Sequence, residues 1–280
     1  MKLQSKHIEL EPQQQWLDVM SRQPFSEIED WLTLTTYPDF LSATRLNQLL
    51  EMSGCQLAHR FVCQQELGEM HDYYETIIYK KQIIPTRPNS WHDLFNGLVW
   101  LQYPKTKALL NTWHVEDITT HGLAPRTPRR NHITHFDECG IILALTNTDL
   151  AEDLREHKWQ ECLHTQRAEW GNSVQAFVFG HANYEMMLAP FIGLTGKWLA
   201  VEVEPAFFTL PFTQQIQTLD TSLHKQLSDA QGFLGPMTMS PLPLLGIPGW
   251  WAHNTSADFY ANQSYFRPAR TKKSAVASTT

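Results

Sequence analysis

Residues 173–187 read SVQAFVFGHANYEMM, and this stretch decides the fold that we expect. Its first part, which ends at Gly180, is short, apolar and rich in β-branched and aromatic residues, as is typical of a buried strand. The strand opens directly into a segment, starting at His181, that we interpret as a helix. Strands connected by helical segments predict a sheet with helices packed on it.

Three further segments are interpreted as strands. Residues 73–85, YYETIIYKKQIIP, are β-branched and aromatic and end at Pro85. Residues 133–147, ITHFDECGIILALTN, have the pattern of one buried strand or of a hairpin. Residues 197–205, KWLAVEVEP, alternate between apolar and polar positions, as strands do.

Helices are predicted between and before these strands. The clearest one in the first part of the chain lies in residues 39–54, DFLSATRLNQLLEMSG, with Ser42 as its N-cap and Gly54 as its stop. Two more helical regions are expected at residues 148–170 and 219–229. These helices separate the predicted strands along the chain.

Residues 90–104, SWHDLFNGLVWLQYP, predict another helix because their apolar residues recur with i, i+3, i+4 and i+7 spacing. Asn89 or Ser90 is placed to cap this helix. Pro104 is placed to end it and to begin a second helix through Leu110.

The patterns together predict an α+β domain, or an α/β one, with a single mixed sheet of about four or five strands flanked by helices. We divide the chain into an N-terminal helical extension packed on the core (1–70), an α+β core domain (71–270) and a disordered tail (271–280). Residues 241–251, PLPLLGIPGWW, are too apolar to stay exposed, so we expect an ordered loop packed over the domain.

Composition restricts the classes of function. The net charge of -7 argues against general nucleic-acid binding, because phosphates need a positive surface. The N-terminus lacks the apolar segment of a secretory signal, and no apolar run approaches the roughly 18 residues of a membrane span. The 4 cysteines form no Cys-x-x-Cys pair, which favours free thiols in a reducing compartment. We therefore expect a cytoplasmic protein with no membrane association, and its oligomeric state is left open.

Five longer motifs occur in order between Tyr74 and Arg270: IPTRPNSWHDLFNGLVWLQYPKTKALLN, HFDECG, FGHANYE, PLPLLGIPGW and YFRPAR. Together they resemble a proteobacterial domain family of unknown function, number three-zero-two-five. The resemblance implies a bacterial source and one continuous domain. It implies no activity, cofactor or catalytic residue, so the chemistry has to be argued from the residues.

The motif HANYE places His181 and Glu185 one helical turn apart on one face, the spacing of two metal ligands. The same spacing recurs at His7–Glu11 and His71–Glu75, so spacing alone is a weak signal. Placement adds to it, because His181 follows the carboxyl end of a strand, where ligands collect in open α/β sheets. The alternative is a histidine near a helix start that bonds to a local partner.

The motif NSWHD places His92 and Asp93 in a first helical turn. The carboxylate of Asp93 complements the helix dipole without any functional role. A neutral imidazole is favoured for His92 at this end of a helix, and that form binds metals or acts as a base. Asn96 lies one turn beyond His92 on the same face.

The motif HFDECG places Asp137 and Glu138 among apolar residues. In a strand the two carboxylates would point to opposite faces, so only one of them could enter a given pocket. A buried carboxylate needs a cation, a metal or hydrogen-bond donors. The alternative is a hairpin turn at DECG with both acids exposed.

Cations recur beside these motifs, and arginine forks suit phosphate or carboxylate groups. Arg129 and Arg130 lie in a proline-rich loop and are interpreted as surface charge. Arg87 and Arg267 lie among aromatic residues and prolines, so buried ion pairs are the alternative for them.

We expect the polar motifs to form one site, since buried ionisable groups cost least when clustered. The predicted catalytic residues are His92, Asp93 and Glu138, the substrate-binding residues are Arg87, Asn89, Asn96, Lys107 and Arg267, and the metal ligands are Asp137, His181 and Glu185. With a divalent metal (Zn, Mn or Fe), this set predicts a hydrolase for a small anionic substrate. The alternatives are a non-enzymatic binding protein for an anionic metabolite or a protein partner, and a purely structural polar network.

Overall fold

The computed structural model describes residues 18–37, 40–55, 57–69, 71–230, 232–234 and 239–269. It confirms the α+β class. The helices are α1 (Ser26–Leu32), α2 (Ala43–Met52), α3 (Tyr74–Lys81), α4 (Trp91–Gln102), α5 (Pro104–His121), α6 (Pro128–Cys139), α7 (Thr148–Arg155), α8 (His181–Leu188), α9 (Phe212–Asp229) and α10 (Ala257–Tyr260). The strands are β1 (Arg60–Cys63), β2 (Ile83–Thr86), β3 (Gly140–Leu145), β4 (Val174–Val178), β5 (Thr195–Glu202) and β6 (Ser240–Pro243).

The main sheet has the order β4-β3-β5-β6. Strand β3 is parallel to β5, while β4 and β6 run antiparallel to their neighbours. Every residue of β3 is buried, which explains its unbroken apolar sequence. The sheet therefore needs cover on both faces, and the helices supply it.

A second sheet pairs β1 with β2 in parallel and lies outside the predicted single sheet. Strand β1 falls within the extension that was expected to be helical. Asn47 on α2 fixes this strand, because its amide group donates to the carbonyl of Phe61 at 2.8 Å and accepts from its N–H at 2.9 Å. Phe25 near α1 packs against Phe95 of α4 with ring centroids 5.8 Å apart. The first part of the chain thus shares the core of the rest.

Two of the segments predicted as strands, residues 73–85 and 133–147, begin as helices. Residues 74–81 form α3, and only Ile83–Thr86 is a strand. The β-branched pair Ile77 and Ile78 is buried in α3, so burial on one helix face outweighed strand propensity. We conclude that the β-branched residues of this segment were a misleading signal.

The segment around HFDECG is also helical, and both earlier interpretations of it, a strand and a hairpin turn, are wrong. Thr127 caps α6 by accepting from the N–H of Arg130, and Pro128 takes its first position. The helix runs through Cys139, and β3 begins at Gly140. Its last turn therefore carries both acidic residues of the motif.

The predicted starts of α2, α4 and α5 are confirmed, whereas α9 begins at Phe212, ahead of the start predicted at residue 219. Ser42 accepts from the N–H of Arg45 and caps α2, and Ser90 accepts from the N–H of Asp93 and caps α4. Pro104 opens α5, which extends well past the predicted end. Within the described residues, no helix combines the length and apolar character needed to cross a membrane. The tail over residues 271–280 lies outside the described residues.

The segment PLPLLGIPGWW is ordered as predicted, but its start is a strand. Residues Ser240–Pro243 form β6 at the edge of the main sheet. The N–H of Leu244 donates to the carbonyl of Leu194 on the β5 side. Because N–H groups alternate along a strand, Pro241 and Pro243 occupy the outward-facing positions, where proline costs no hydrogen bond.

Two glycines allow the strand–helix junctions of the main sheet to touch. The carbonyl of Gly140 accepts from the N–H groups of Phe179 and Gly180, at 3.0 and 2.8 Å. A Cβ on Gly180 would lie 2.2 Å from the nitrogen of Gly140 and 2.5 Å from that of Cys139. Since these contacts are with backbone, no side-chain movement could make room. The start of α8 is therefore held against the end of α6.

We expect Gly180→Ala to lower the free energy of unfolding by about 3 kcal/mol or more, because overpacking here must displace backbone. Urea denaturation measures this change. Gly54→Ala is the control, because Gly54 has a positive φ of 66° but no atom within 4 Å of its missing Cβ. Its cost should be about 1 kcal/mol, from backbone conformation alone. Equal losses in the two variants would contradict the close-approach argument.

The half-buried carboxyl group of Glu27 on α1 predicts a pH dependence of stability. Burial raises its pKa to about 7, from an ordinary 4.5. Because the folded state then holds a proton that the unfolded state releases, the contribution of Glu27 to stability is most favourable below about pH 4.5 and is lost as the pH rises to about 7. We expect Glu27→Gln to raise the melting temperature above wild type near pH 8, and much less near pH 5. The exposed acid of α2 gives the control Glu51→Gln, and the same gain at both pH values would contradict this prediction.

Candidate functional site

The polar motifs meet in one cleft of about 280 Å³. Four helices contribute most of its wall: the first turns of α3, α4 and α8 and the last turn of α6. The junctions at Gly140 and Gly180 bring the end of α6 beside the start of α8, because the antiparallel pairing of β3 and β4 places the start of β3 beside the end of β4. The packing of α4 on α8 brings the start of α4 to the same cleft, and the rings of Phe95 and Tyr184 stack with their centroids 5.4 Å apart.

His92 on α4 connects the two helix starts. Its Nδ1 lies 2.9 Å from Oε2 of Glu185, and its Nε2 lies 3.0 Å from Nε2 of His181. The two imidazole rings are nearly perpendicular, at 78°. The i, i+4 spacing of HANYE thus places His181 and Glu185 on opposite nitrogens of the same histidine.

Glu138 completes a cluster with the two histidines. Its Oε2 lies 3.4 Å from Nε2 of His181. One donor atom each from His92, Glu138 and His181 fall within 4.8 Å of one another. His181 is buried, whereas His92 and Glu138 are partly exposed to the cleft. Two imidazoles and one carboxylate are a donor set that suits Zn, Mn and Fe.

Asp137 lies behind this cluster. Its carboxylate pairs with the buried ammonium group of Lys107 and lies 3.8 Å from Nδ1 of His181. Lys107 also donates to Oδ1 of Asn96 at 3.0 Å, and Asn96 donates to the hydroxyl of Tyr74 at 3.1 Å. This network holds the carboxylate of Asp137 on the far side of His181 from the other two donors.

The pKa values of the two histidines are shifted in opposite directions. Burial lowers the pKa of His181 to about 3, so its imidazole is neutral. The hydrogen bond to Glu185 raises the pKa of His92 above its usual value. The helix dipole favours the neutral form of His92, whereas the directly bonded carboxylate of Glu185 favours the protonated form.

Several carboxyl groups share the cleft, and two of them, Glu138 and Glu75, have raised pKa values. Burial and the charge of Asp137 raise the pKa of Glu138, and the same causes raise the pKa of Glu75 to about 7. Burial also acts on Asp137, but the charge and the hydrogen bond of Lys107 outweigh it and hold the pKa of Asp137 below its usual value. The cleft thus has an excess of acidic groups that a bound cation would stabilise.

Arg87 and Asp93 form a pair at the edge of the cleft. The guanidinium group donates from Nη2 at 2.6 Å and from Nε at 3.0 Å, and the backbone N–H of Arg87 donates at 2.6 Å. Burial favours the neutral acid, but these contacts hold the pKa of Asp93 below its usual value. The carboxylate predicted to be catalytic is therefore engaged by Arg87, while more than half of the arginine side chain is exposed.

The remaining substrate-binding predictions differ in outcome. Asn96 lines the cleft, whereas Lys107 is buried beneath it. Asn89 lies in the turn before α4 with a φ of 56° and is not among the lining residues. Arg267 lines a different cleft, so its placement in this site is wrong. The segment before Arg267 is positioned by contacts with residues that are distant in the sequence. The neighbours of Arg267 in the sequence therefore do not show which cleft its side chain lines.

Arg129 and Arg130 are not surface charges, contrary to expectation. Arg129 pairs with Glu116 and Asp117, at 3.5 and 3.2 Å. Arg130 is 1% exposed and donates to the carbonyls of Gly122 and Leu123. Both side chains hold the loop that leads into α6.

Sequence reasoning missed several residues of the cleft wall. Tyr74 and Glu75 line it from α3, His114 from α5, and Arg126 from the loop before α6. The interpretation of residues 73–85 as a strand hid the first two. The His71–Glu75 spacing was visible, but its glutamate, and not its histidine, lines the cleft.

Comparison with family models shows a match over residues 59–270 to the family described as Protein of unknown function (DUF3025), and the chain belongs to that family. The match confirms the resemblance seen in the five motifs and begins earlier in the chain, just before β1. No curated protein and no solved structure matches the chain.

The buried pair of Lys107 and Asp137 gives a test of the network behind His181. We expect Lys107→Met to lower the free energy of unfolding by about 3 kcal/mol, because it leaves a largely buried carboxylate without its cation. Asp137→Asn should also destabilise the protein, and the double variant should lose less than the sum of the two. Urea denaturation of the four proteins measures this coupling. Additive losses would show that the pair does not act as a unit.

Proposed function

We propose that this cleft binds one divalent metal ion through His92, Glu138 and His181, and that the protein hydrolyses a small anionic substrate there. The observation that carries the proposal is the convergence of three donor atoms within 4.8 Å at the wall of a cleft. The three residues come from different helices, so their convergence is a product of the tertiary fold.

The separation of the imidazole nitrogens suits metal binding. Two nitrogens that bind one ion at about 2.0–2.1 Å lie roughly 2.8–3.4 Å apart for angles near those of octahedral or tetrahedral sites. The Nε2 atoms of His92 and His181 are 3.0 Å apart. A small outward movement of the rings would make room for the ion between them.

Each histidine has a carboxylate on its other side. Glu185 bonds to Nδ1 of His92, and Asp137 lies near Nδ1 of His181. Metal-binding histidines usually direct their second nitrogen to such a partner, which orients the ring and raises its basicity. We therefore assign Glu185 to positioning His92, while Asp137, at 3.8 Å from Nδ1 of His181, acts on that ring through its charge; both assignments change a predicted role as ligand.

An open coordination sphere favours catalysis over a structural role. Three protein ligands leave a position for water, whose pKa a bound zinc lowers to about 7. Arg87 and Arg126 contribute cations to the same cleft and would orient an anionic substrate. A bound metal would supply the activation of water for hydrolysis, and the two arginines would hold the anionic group of the substrate, such as a phosphate ester or a carboxylate.

One observation favours the alternative of a site without metal. The polar groups can pair among themselves, since His92 bonds to Glu185 and to His181, and Lys107 pairs with Asp137. In that case the cleft would hold an anionic metabolite or a protein segment through Arg87 and Arg126 without turnover. The metal content of the protein separates the two functions.

We expect the untagged wild-type protein to carry stoichiometric zinc, manganese or iron, and Glu138→Ala and His181→Ala to lose it. Glu185→Gln should retain the metal with about tenfold weaker affinity, because it alters only the orientation of a ligand. Elemental analysis and metal titration measure content and affinity. Hydrolysis of 4-nitrophenyl phosphate with and without the metal then tests for turnover.

The matched control is His71→Ala, because His71 has the same spacing to Glu75 as His181 has to Glu185 but is 85% exposed and lies outside the cluster. This variant should keep its metal and its activity. Absence of bound metal in the wild type, together with a melting temperature that no divalent ion raises, would overturn the metal site. Bound metal without turnover would overturn only the hydrolase.

A further inference from the structure

A second cleft, with no lining residue in common with the first, has a volume of about 770 Å³. It lies between the end of α7, the first half of β5, strand β6 and residues 264–269. This volume is in the range of pockets that hold small metabolites. The proposed metal site gives it no role.

The second cleft is basic. Arg155, Lys197 and Arg267 line it, and none of its described lining residues is an aspartate or glutamate. This arrangement is unexpected in a chain with a net charge of -7. Three like charges that face one cavity repel each other, and a bound anion would remove that cost.

Within the part of the chain that the structure describes, no aspartate or glutamate forms an ion pair with any of these three cations. Asp153 and Glu156, on either side of Arg155 in the sequence, both pair with Lys158, at 2.7 and 2.9 Å. The cross-strand neighbours of Lys197 are Gly140 and Pro241, which carry no charge. The positive charge of the cleft is therefore left for a ligand.

The structure also holds the backbone of Arg267 and the guanidinium group of Arg155 in place. The carbonyl of Arg267 accepts from Nε1 of Trp159 at 2.7 Å and lies 2.9 Å from Nδ1 of His157. The guanidinium group of Arg155 packs over the ring of Trp198, with Cζ at 4.8 Å from its centroid. Cations that are fixed before binding lose less entropy when a ligand arrives.

We propose that the second cleft binds the phosphate group of an anionic ligand. Three cations match a phosphate dianion better than a single carboxylate, and the two arginines offer the planar donor pairs that phosphate oxygens accept. This site is separate from the proposed metal site, and its ligand need not be the hydrolase substrate.

The phosphate has two candidate sources. One is a soluble phosphorylated metabolite, and the other is a phospholipid headgroup. Phe191 and Ile192 are about half exposed, at 53% and 50%, and precede Gly193, which lines the cleft. Exposed apolar side chains beside cations are typical of surfaces that contact anionic membranes. The experiment therefore has one arm for each source.

The first arm titrates inorganic phosphate into the full chain at constant ionic strength, with chloride as the reference, and follows the melting temperature. We expect saturable stabilisation of the wild type, and about tenfold weaker binding in both Lys197→Gln and Arg267→Gln, the factor expected when one charge-assisted hydrogen bond is lost. Lys225→Gln is the control, since Lys225 pairs with Asp229 on α9 and does not line the cleft.

The second arm measures co-sedimentation with phosphatidylcholine vesicles that contain or lack phosphatidylglycerol. One outcome is that the wild type binds the vesicles with phosphatidylglycerol and not those without it. If Lys197→Gln and Phe191→Ser abolish this binding, the result supports the site and identifies a lipid headgroup. Phosphate binding without vesicle binding would support the site and identify a soluble ligand. The proposal is overturned if the wild type binds neither probe, or if Lys197→Gln and Arg267→Gln bind as the wild type does.

Discussion

The contact between Gly140 and Gly180 is the constraint on which the site depends. At this point the chain enters β3 from one helix and leaves β4 into another, and the two junctions approach so closely that only backbone fits. One carbonyl, that of Gly140, accepts from Phe179, from Gly180 and from the side chain of Asn183. Polar residues on either side of the junctions are thereby brought together without any attraction between them being required. Their burial cost is met by the apolar packing of the sheet and its helices.

Local signals in the sequence predicted local structure well. Capping serines, a proline at a helix start and apolar periodicity are short-range causes, and Ser42, Ser90 and Pro104 act in the structure as expected. Elements whose structure depends on long-range contacts were harder to predict. Ile77 and Ile78 favour a strand in isolation, and only the core that receives α3 makes them helical. The end of α6 was hidden for the same reason, because its last turn and β3 were taken for one segment.

The candidate site could be predicted in part for a physical reason. Ionisable groups near helix starts and strand ends cost least when they cluster, and His92, Glu138 and His181 do lie together. The places of Glu185 and Asp137 behind the histidines follow from side-chain directions that only the helix packing sets. Arg267 shows the limit of motif reasoning, since a proline and aromatic context alone does not say which cleft a cation enters. The structure separates an acid-rich cleft from a base-rich one, and the net charge of the chain conceals this division.

The two prolines of β6 have a consequence for how the protein meets other copies of itself. A strand at a sheet edge normally offers a row of free N–H groups, onto which a strand from another molecule can add. On the outer side of β6 the nitrogens of Pro241 and Pro243 have no hydrogen to offer, while the inner side remains bonded to β5. An incoming strand would find acceptors without donors and could not build a regular ladder. The sheet therefore ends at β6 because its prolines lack backbone N–H groups. This edge is protected against strand addition and against the aggregation that follows from it.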